Sequence, residues 1–538
     1  MKTNNLKKRI LAASAIFALS TTALVAAPTV ATAAPVCSEK INLNLEPYQL
    51  YRECVGVTSD GAQYVVQLPL EEAFDGTLFL YTHGYRYPVD IPTLNYKVGK
   101  TPEPVPGRTI AEMQEVSTGM LSKGYAVAGS GFTRKGWNAD DALKTNVELV
   151  KMLRKEFPEI KKVIAWGSSL GAYITQGLSE RNTNLISAAG LLCPAAGSIE
   201  ASLKMAGDAL WGVKAFLDPT IQGGNYKSVL QVYSDMGKIE AALTAVGANI
   251  AANAAFPAWP ATAVAPVDAL KPAFEALKKN VPSRSAVVMI AAMAGVPTQS
   301  KSFDGSTGAG DALTSFQFAS GISPALGALE NLGSAATLGV LVTYDLERDS
   351  GGPVFDNTAT DYAAQLGDAK REYASALSGS DATNAMLAYL AAFPKMKGDA
   401  TAIAKMRTLL SHKGNFKVPT ISLAATADNV TPAGNQQWLI DAAAAKKSKN
   451  LLALWQRTPS SYTKFTAAGP VRLADAVYNG TGHCNTTVDQ HLAIADLLAA
   501  SSNGKLVGAK TVRKAIKAAG GITYDTNFAA PLLKFYQK

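Results

Sequence analysis

The pentapeptide Gly167-Ser168-Ser169-Leu170-Gly171 carries the clearest chemistry in this 538-residue chain. It follows the apolar run Val163-Ile164-Ala165-Trp166 and leads into Ala172-Tyr173-Ile174-Thr175, which reads as helix. Strand, tight turn and helix form the setting in which G-x-S-x-G presents a nucleophilic serine. The central residue sits in a sparsely populated backbone conformation, at a cost of roughly 1–3 kcal/mol. Glycines on either side let strand and helix cross closely. The Ser169 hydroxyl is thereby lifted above the sheet, at a helix start whose free N–H groups can face a developing oxyanion.

A serine alcohol needs a base to take its proton, and the base needs an anion to fix its tautomer. The chain offers four histidines: His83, His412, His483 and His491. His83 belongs to a strand-end His83-Gly84 pair suited to shaping an oxyanion loop. His412 is expected on the exit helix of the 197–414 block and His491 within a late helix. His483, in Gly480-Thr481-Gly482-His483-Cys484, lies on a glycine-flanked loop from which its side chain can reach back to Ser169. It is the expected base. Asp428 follows the buried run 418–424 and is the expected acid, with Asp475 as the competing choice and capping of the next helix as the bland role.

These residues need a common frame. Within the alternating stretch 45–70, residues 48–52 and 64–68 read as an antiparallel strand pair. Apolar strands at 77–81, 125–128, 163–166, 186–193 and 418–424 are separated by helical stretches at 109–123, 139–157 and 433–447. The last strand is either 451–455 or 475–478, and a helix at 488–500 follows. Continuous apolar strands alternating with helices predict a mostly parallel, doubly wound α/β sheet, with ligands beyond the strand carboxyl ends. Each candidate residue falls at such an end. Between about 197 and 414 alanine-rich helical segments dominate, at 240–255, 267–279, 361–377 and 385–393. The expected organisation is a core in two parts, 34–196 and 415–538, with a helical cap, 197–414, inserted between them. A free-standing helical domain is the competing reading of that block.

Residues 1–33 read as a secretory signal: a basic start (Lys2, Lys7, Lys8, Arg9), an apolar run, and Ala31-Thr32-Ala33 as cleavage site. The competing reading is an uncleaved anchor. No later stretch holds the ~18 continuous apolar residues of a spanning helix, 285–296 coming closest. The expected location is therefore extracellular or at the cell envelope. The formal charge of +9 falls to +5 once the four leader cations are removed, leaving 47 basic against 42 acidic residues. No Lys/Arg run with interleaved aromatics points to nucleic acid. Four cysteines in an exported chain favour disulfides, with three possible pairings. Cys37 and Cys54 are close in sequence before the core, whereas Cys193 and Cys484 both belong near the Ser169 face. The expected pairs are Cys37–Cys54 and Cys193–Cys484. No Cys-x-x-Cys or i, i+4 histidine pair calls for a metal, and no cofactor is expected.

The order Ser169…Asp428…His483, with Gly167–Gly171 and His83-Gly84, resembles the α/β-hydrolase superfamily, and in particular exported serine esterases with a large cap. The resemblance covers about 45–200 and 415–500. It implies ester or amide hydrolysis through an acyl-enzyme, and the apolar, alanine-rich composition of 197–414 favours an acyl or aryl ester as the substrate. The oxyanion hole would be formed by the backbone N–H groups of Leu170 and Tyr85, each donor worth roughly 2.7–4 kcal/mol. His483-Cys484 is also similar to the tannase and feruloyl-esterase group, where a cysteine after the histidine pairs with one just before the serine. Position 168 here is serine, and Cys193 is the available substitute. The cap resembles that of secreted serine aminopeptidases, which would need a carboxylate for the substrate ammonium, such as Asp345, Glu347 or Asp349. A non-catalytic cell-wall or binding protein on the same fold is the third reading. The sequence leaves the oligomeric state open.

Overall fold

The computed structural model describes residues 34–42, 49–70, 72–305, 321–459, 462–466, 469–472 and 480–537. The expected signal segment 1–33, the strand candidate 475–478 and the alternative acid Asp475 lie outside these residues.

Among the described residues, nine strands form one sheet. Three open it at one edge: β1 (Val36–Asn42), β2 (Gln49–Val57) and β3 (Gln63–Pro69). They are followed by β4 (Thr77–Thr82), β5 (Ala126–Ser130), β6 (Lys162–Ser168), β7 (Ala188–Leu192), β8 (Thr420–Ala425) and β9 (Leu451–Gln456). The order is β1-β2-β3-β5-β4-β6-β7-β8-β9. Pairing is antiparallel from β1 through β3 to β5, then parallel from β5 to β9. The opening is thus three strands rather than a pair: β1 alternates weakly and its Val36 and Ile41 are exposed. Of the two candidates for the last strand, 451–455 corresponds to β9. A two-stranded hairpin, β10 (Thr463–Thr466) with β11 (Gly469–Arg472), stands apart from the sheet.

The continuous apolar strands are buried on both faces because successive side chains serve different cores. Along β4 and β6, Phe79, Tyr81, Ile164 and Trp166 point into one layer, with Met120 of helix Ile110–Ser122 and Leu498 of helix Val488–Ser501. Leu78, Leu80, Val163 and Ala165 point into the other, with Leu149 and Leu153 of helix Ala139–Glu156 and Leu178 of helix Leu170–Arg181. The sheet therefore holds the strand ends rigidly, and the loops at its carboxyl edge inherit that rigidity.

Between β7 and β8 the described residues form helices joined by loops, with no strand among them. The principal helices are Ile199–Phe216, Val229–Ala252, Lys271–Asn280, Ser283–Ala294, Ser323–Ser350 and Gly379–Ala392. They share a large apolar core around Trp211, Phe216, Ile290 and Leu341. The helix expected at 361–377 is instead two short ones, Tyr362–Leu366 and Ala369–Glu372. Gly367 at φ 55° breaks it, in a conformation favoured by glycine. Helix Ser323–Ser350 is long and apolar enough, by length and composition, to cross a membrane, although no continuous apolar run of that length occurs. Here most of it is buried among the other helices, through Leu332, Ala336, Val340 and Leu346.

Candidate active site

Ser169 joins β6 to helix Leu170–Arg181 at φ 58°, ψ −122°, a strained position for a residue with a side chain. The flanking glycines are obligatory for steric reasons. A Cβ at Gly171 would stand 1.9 Å from the Thr82 carbonyl, and one at Gly167 2.4 Å from the Gly171 carbonyl. The Ser169 N–H donates to the Leu192 carbonyl at 2.9 Å, tying the turn to β7.

The two partners of Ser169 are brought together by a short bridge beyond β8. Ala427 pairs in parallel with Thr481: the Ala427 N–H donates to the Gly480 carbonyl at 2.8 Å, and the Gly482 N–H to the Ala427 carbonyl at 3.1 Å. Asp428 and His483 are the residues just past that bridge. The His483 Nε2 lies 2.8 Å from Ser169 Oγ, and its Nδ1 lies 2.9 Å from Asp428 Oδ2 and 3.0 Å from Oδ1. A carboxylate only accepts, so Nδ1 carries the proton and Nε2 turns its lone pair to the serine hydroxyl. Asp428 is fully buried, and its Oδ1 accepts the N–H groups of Val430 and Thr431, each at 2.8 Å. The anion is thus held by dipoles rather than by a cation.

Thr431 joins this network and was not singled out in the sequence. Its Oγ1 is 2.9 Å from the Cys193 carbonyl, 3.1 Å from Asp428 Oδ2 and 3.4 Å from His483 Nδ1. The only signal for it is a hydroxyl three residues after an aspartate, which is common in turns. Both expected disulfides are present, Cys37–Cys54 and Cys193–Cys484. The first joins directly opposed residues of β1 and β2. The second fastens the histidine loop to the end of β7, and Cys484 Sγ is 3.4 Å from His483 Nε2. Cys193, His483 and Cys484 cluster closely enough to suggest metal ligands. Both sulfurs are consumed by the disulfide, so neither is the thiolate a metal would need.

On the other side of Ser169 lies the turn His83-Gly84-Tyr85, past the end of β4. A Cβ at Gly84 would stand 3.3 Å from Ser169 Cβ and 3.9 Å from its Oγ, so the turn lies directly against the nucleophile. His83 Nδ1 donates to the Gly84 carbonyl at 2.7 Å. Burial, aided by Arg86, pulls its pKa down to about 3, which keeps the ring neutral. Tyr85 ends this turn, and Leu170 opens its helix with an N–H that has no intrahelical acceptor. Neither of the remaining histidines pairs with Ser169. His412 lies in the loop beyond helix Ala400–Met406 rather than on a helix; it packs edge-on against Tyr173 with ring centroids 4.1 Å apart, and burial pulls it down to about 3. His491 packs edge-on against Trp166, and burial pulls it down to about 4.

Ser169 and His483 open into a cavity of about 1080 Å³. Core loops supply Gly84, Tyr85, Tyr87 and Arg108 to its wall. Helix Val229–Ala252 supplies Met236 and Leu243, and helix Ser323–Ser350 supplies Leu326, Leu329 and Leu338. The lining is mostly apolar.

The sheet order, the strained serine after β6 and the helices inserted between β7 and β8 make this an α/β-hydrolase fold with helical insertions. No family model and no curated protein matches the chain. Among solved structures, feruloyl esterase B from Aspergillus oryzae is similar at 11% identity and TM-score 0.37, over 85% of this chain and 80% of that one. The rice cell wall degrading esterase LipA from Xanthomonas oryzae is similar at 11% identity and TM-score 0.30, over 76% of this chain and 84% of that one. The Pyrococcus furiosus esterase Pf2001 shares 16% identity at TM-score 0.22, over 34% of this chain; the match spans 60% of the length of that esterase. These likenesses are faint, and the chemistry open to the site follows from its own geometry.

Proposed function

We propose that the chain is an exported serine hydrolase that cleaves carboxylic esters through an acyl-enzyme. One observation carries the reading: His483 Nε2 lies 2.8 Å from Ser169 Oγ while its Nδ1 faces the buried Asp428 at 2.9 Å. In the first half-reaction His483 takes the Ser169 proton as the oxygen attacks the ester carbonyl. The oxyanion is received by the N–H groups of Leu170 and Tyr85. His483 then passes the proton to the departing alcohol as the C–O bond breaks. Water repeats the sequence on the acyl-serine. Asp428 stabilises the transient imidazolium, and the neutral His83 sets the turn that presents Tyr85. In this reading residues 197–414 form a cap over a core made of 34–196 and 415–538. The two disulfides fit an oxidising compartment and a leader at 1–33.

Peptide release from a free N-terminus is less well supported, because the three carboxylates that the sequence offers for it are engaged elsewhere. Asp345 accepts from the Trp137 N–H and pairs with Arg348, Glu347 accepts from the N–H groups of Asn225 and Tyr226, and Asp349 pairs with Arg134. The test is turnover of p-nitrophenyl esters and aminoacyl-naphthylamides by the mature protein and its Ser169→Ala variant. The reading expects ester turnover that disappears in the variant while the fold is retained. Ester turnover unaffected by the substitution, or naphthylamides cleaved in preference to esters, would overturn it.

A further inference from the structure

A second, much smaller pocket of about 60 Å³ meets the large cavity at the nucleophile. Ser169, Tyr85, Val430 and Leu338 line both. His483 lines only the large one, whereas Leu170 lines only the small one. This asymmetry orients an ester. A tetrahedral carbon on Ser169 Oγ has three other substituents. Its oxyanion faces the N–H groups of Leu170 and Tyr85. Its leaving oxygen must accept the proton from His483 Nε2 and so lies on the large-cavity side. The remaining substituent, the acyl chain, is left with the small pocket.

We infer, resting on the ester-hydrolase reading above, that the substrates are esters of short-chain carboxylic acids with bulky alcohols. At roughly 30 Å³ for each water-sized group, the small pocket of about 60 Å³ holds about two such groups beyond the reacting carbon, which suits chains up to about four carbons. Its far walls are built from the small residues Ala206 and Ala209 of helix Ile199–Phe216 and Ala335 and Gly339 of helix Ser323–Ser350. The two helices are already close, since a Cβ at Gly339 would stand 3.3 Å from that of Ala206. Met205, which is 8% exposed, closes part of the rest. Lengthening the chain therefore means separating packed helices, whereas enlarging the alcohol only fills a cavity of about 1080 Å³.

The test is kcat/KM for p-nitrophenyl esters from acetate to decanoate, with the leaving group held constant. Butyrate is expected to exceed decanoate by about tenfold or more; a smaller ratio overturns the inference. Gly339→Leu is expected to lower the butyrate-to-acetate ratio about fivefold or more by filling the pocket. Because that variant can fail to fold, Met205→Ala is made beside it and is expected to raise the decanoate-to-butyrate ratio. Unchanged ratios in the folded variants overturn the assignment. If esters are cleaved without chain-length preference, the pocket assignment alone falls. If no ester in the series is cleaved and a fluorophosphonate leaves Ser169 unlabelled, the hydrolase reading falls and takes this inference with it.

Discussion

Replacing Asp428 by asparagine separates the electrostatic role of the acid from its role in the fold. The carboxylate Oδ1 accepts two backbone N–H groups, from Val430 and Thr431 at 2.8 Å each, and an asparagine carbonyl can keep both. That choice puts the amide nitrogen at the nearer carboxylate position, 2.9 Å from His483 Nδ1, while the carbonyl 3.0 Å away is already taken up by the two N–H groups. An amide there donates rather than accepts, so it selects the tautomer with the proton on Nε2. In that tautomer Nε2 offers Ser169 Oγ a proton instead of a lone pair. The wrong tautomer costs roughly 10⁴-fold in kcat, about 5.5 kcal/mol in the barrier. Stability should change little, by about 1 kcal/mol or less, because the backbone acceptor survives. The assay is steady-state hydrolysis of a p-nitrophenyl ester, with thermal unfolding of the same preparation. A folded Asp428→Asn protein within about tenfold of the parent activity would refute the reasoning.

The Gly171→Ala variant should lose about 3 kcal/mol or more in urea denaturation, or fail to fold, since its new methyl would lie 1.9 Å from the Thr82 carbonyl. Replacing both Cys193 and Cys484 by serine removes a tether between residues 291 apart in sequence. It should cost about 2–5 kcal/mol and lower kcat as the His483 loop loosens; no change in either quantity would contradict the role given to that bridge. His491, with a folded pKa of about 4, binds its proton in the unfolded chain near pH 6.5 but not in the native one. Its contribution to stability is therefore complete above about pH 6.5 and is lost as the pH falls toward 4. Between those values His491→Gln should reduce the slope of unfolding free energy against pH by about 1.4 kcal/mol per unit.

The readable parts of the sequence were those where sterics or periodicity leave little choice. Gly167 and Gly171 announce the serine turn because any side chain there meets backbone. The parallel strands read as unbroken apolar runs because both faces of the sheet are covered. Asp428 and His483 were readable from their places beyond strand ends, although the Ala427–Thr481 bridge that joins them has no sequence signal of its own. Thr431 was hidden because a hydroxyl in a turn is commonplace until the Asp428 carboxylate is placed beside it. β1 was hidden because its alternation leads to no buried face. In the inserted helices, alanine-rich segments pack well in many ways. Their existence was legible, but the break at Gly367 and the 28-residue span of Ser323–Ser350 depend on tertiary contacts. The small pocket depends on the approach of two of these helices and could not be read in advance.

The most direct test is to treat the folded mature protein with a fluorophosphonate and map the adduct by peptide mass spectrometry. Loss of fluoride with formation of a phosphonyl–oxygen bond at Ser169, abolished by His483→Ala, is the predicted result. A native protein that leaves Ser169 unmodified, or that reacts equally well without the imidazole, would contradict the account.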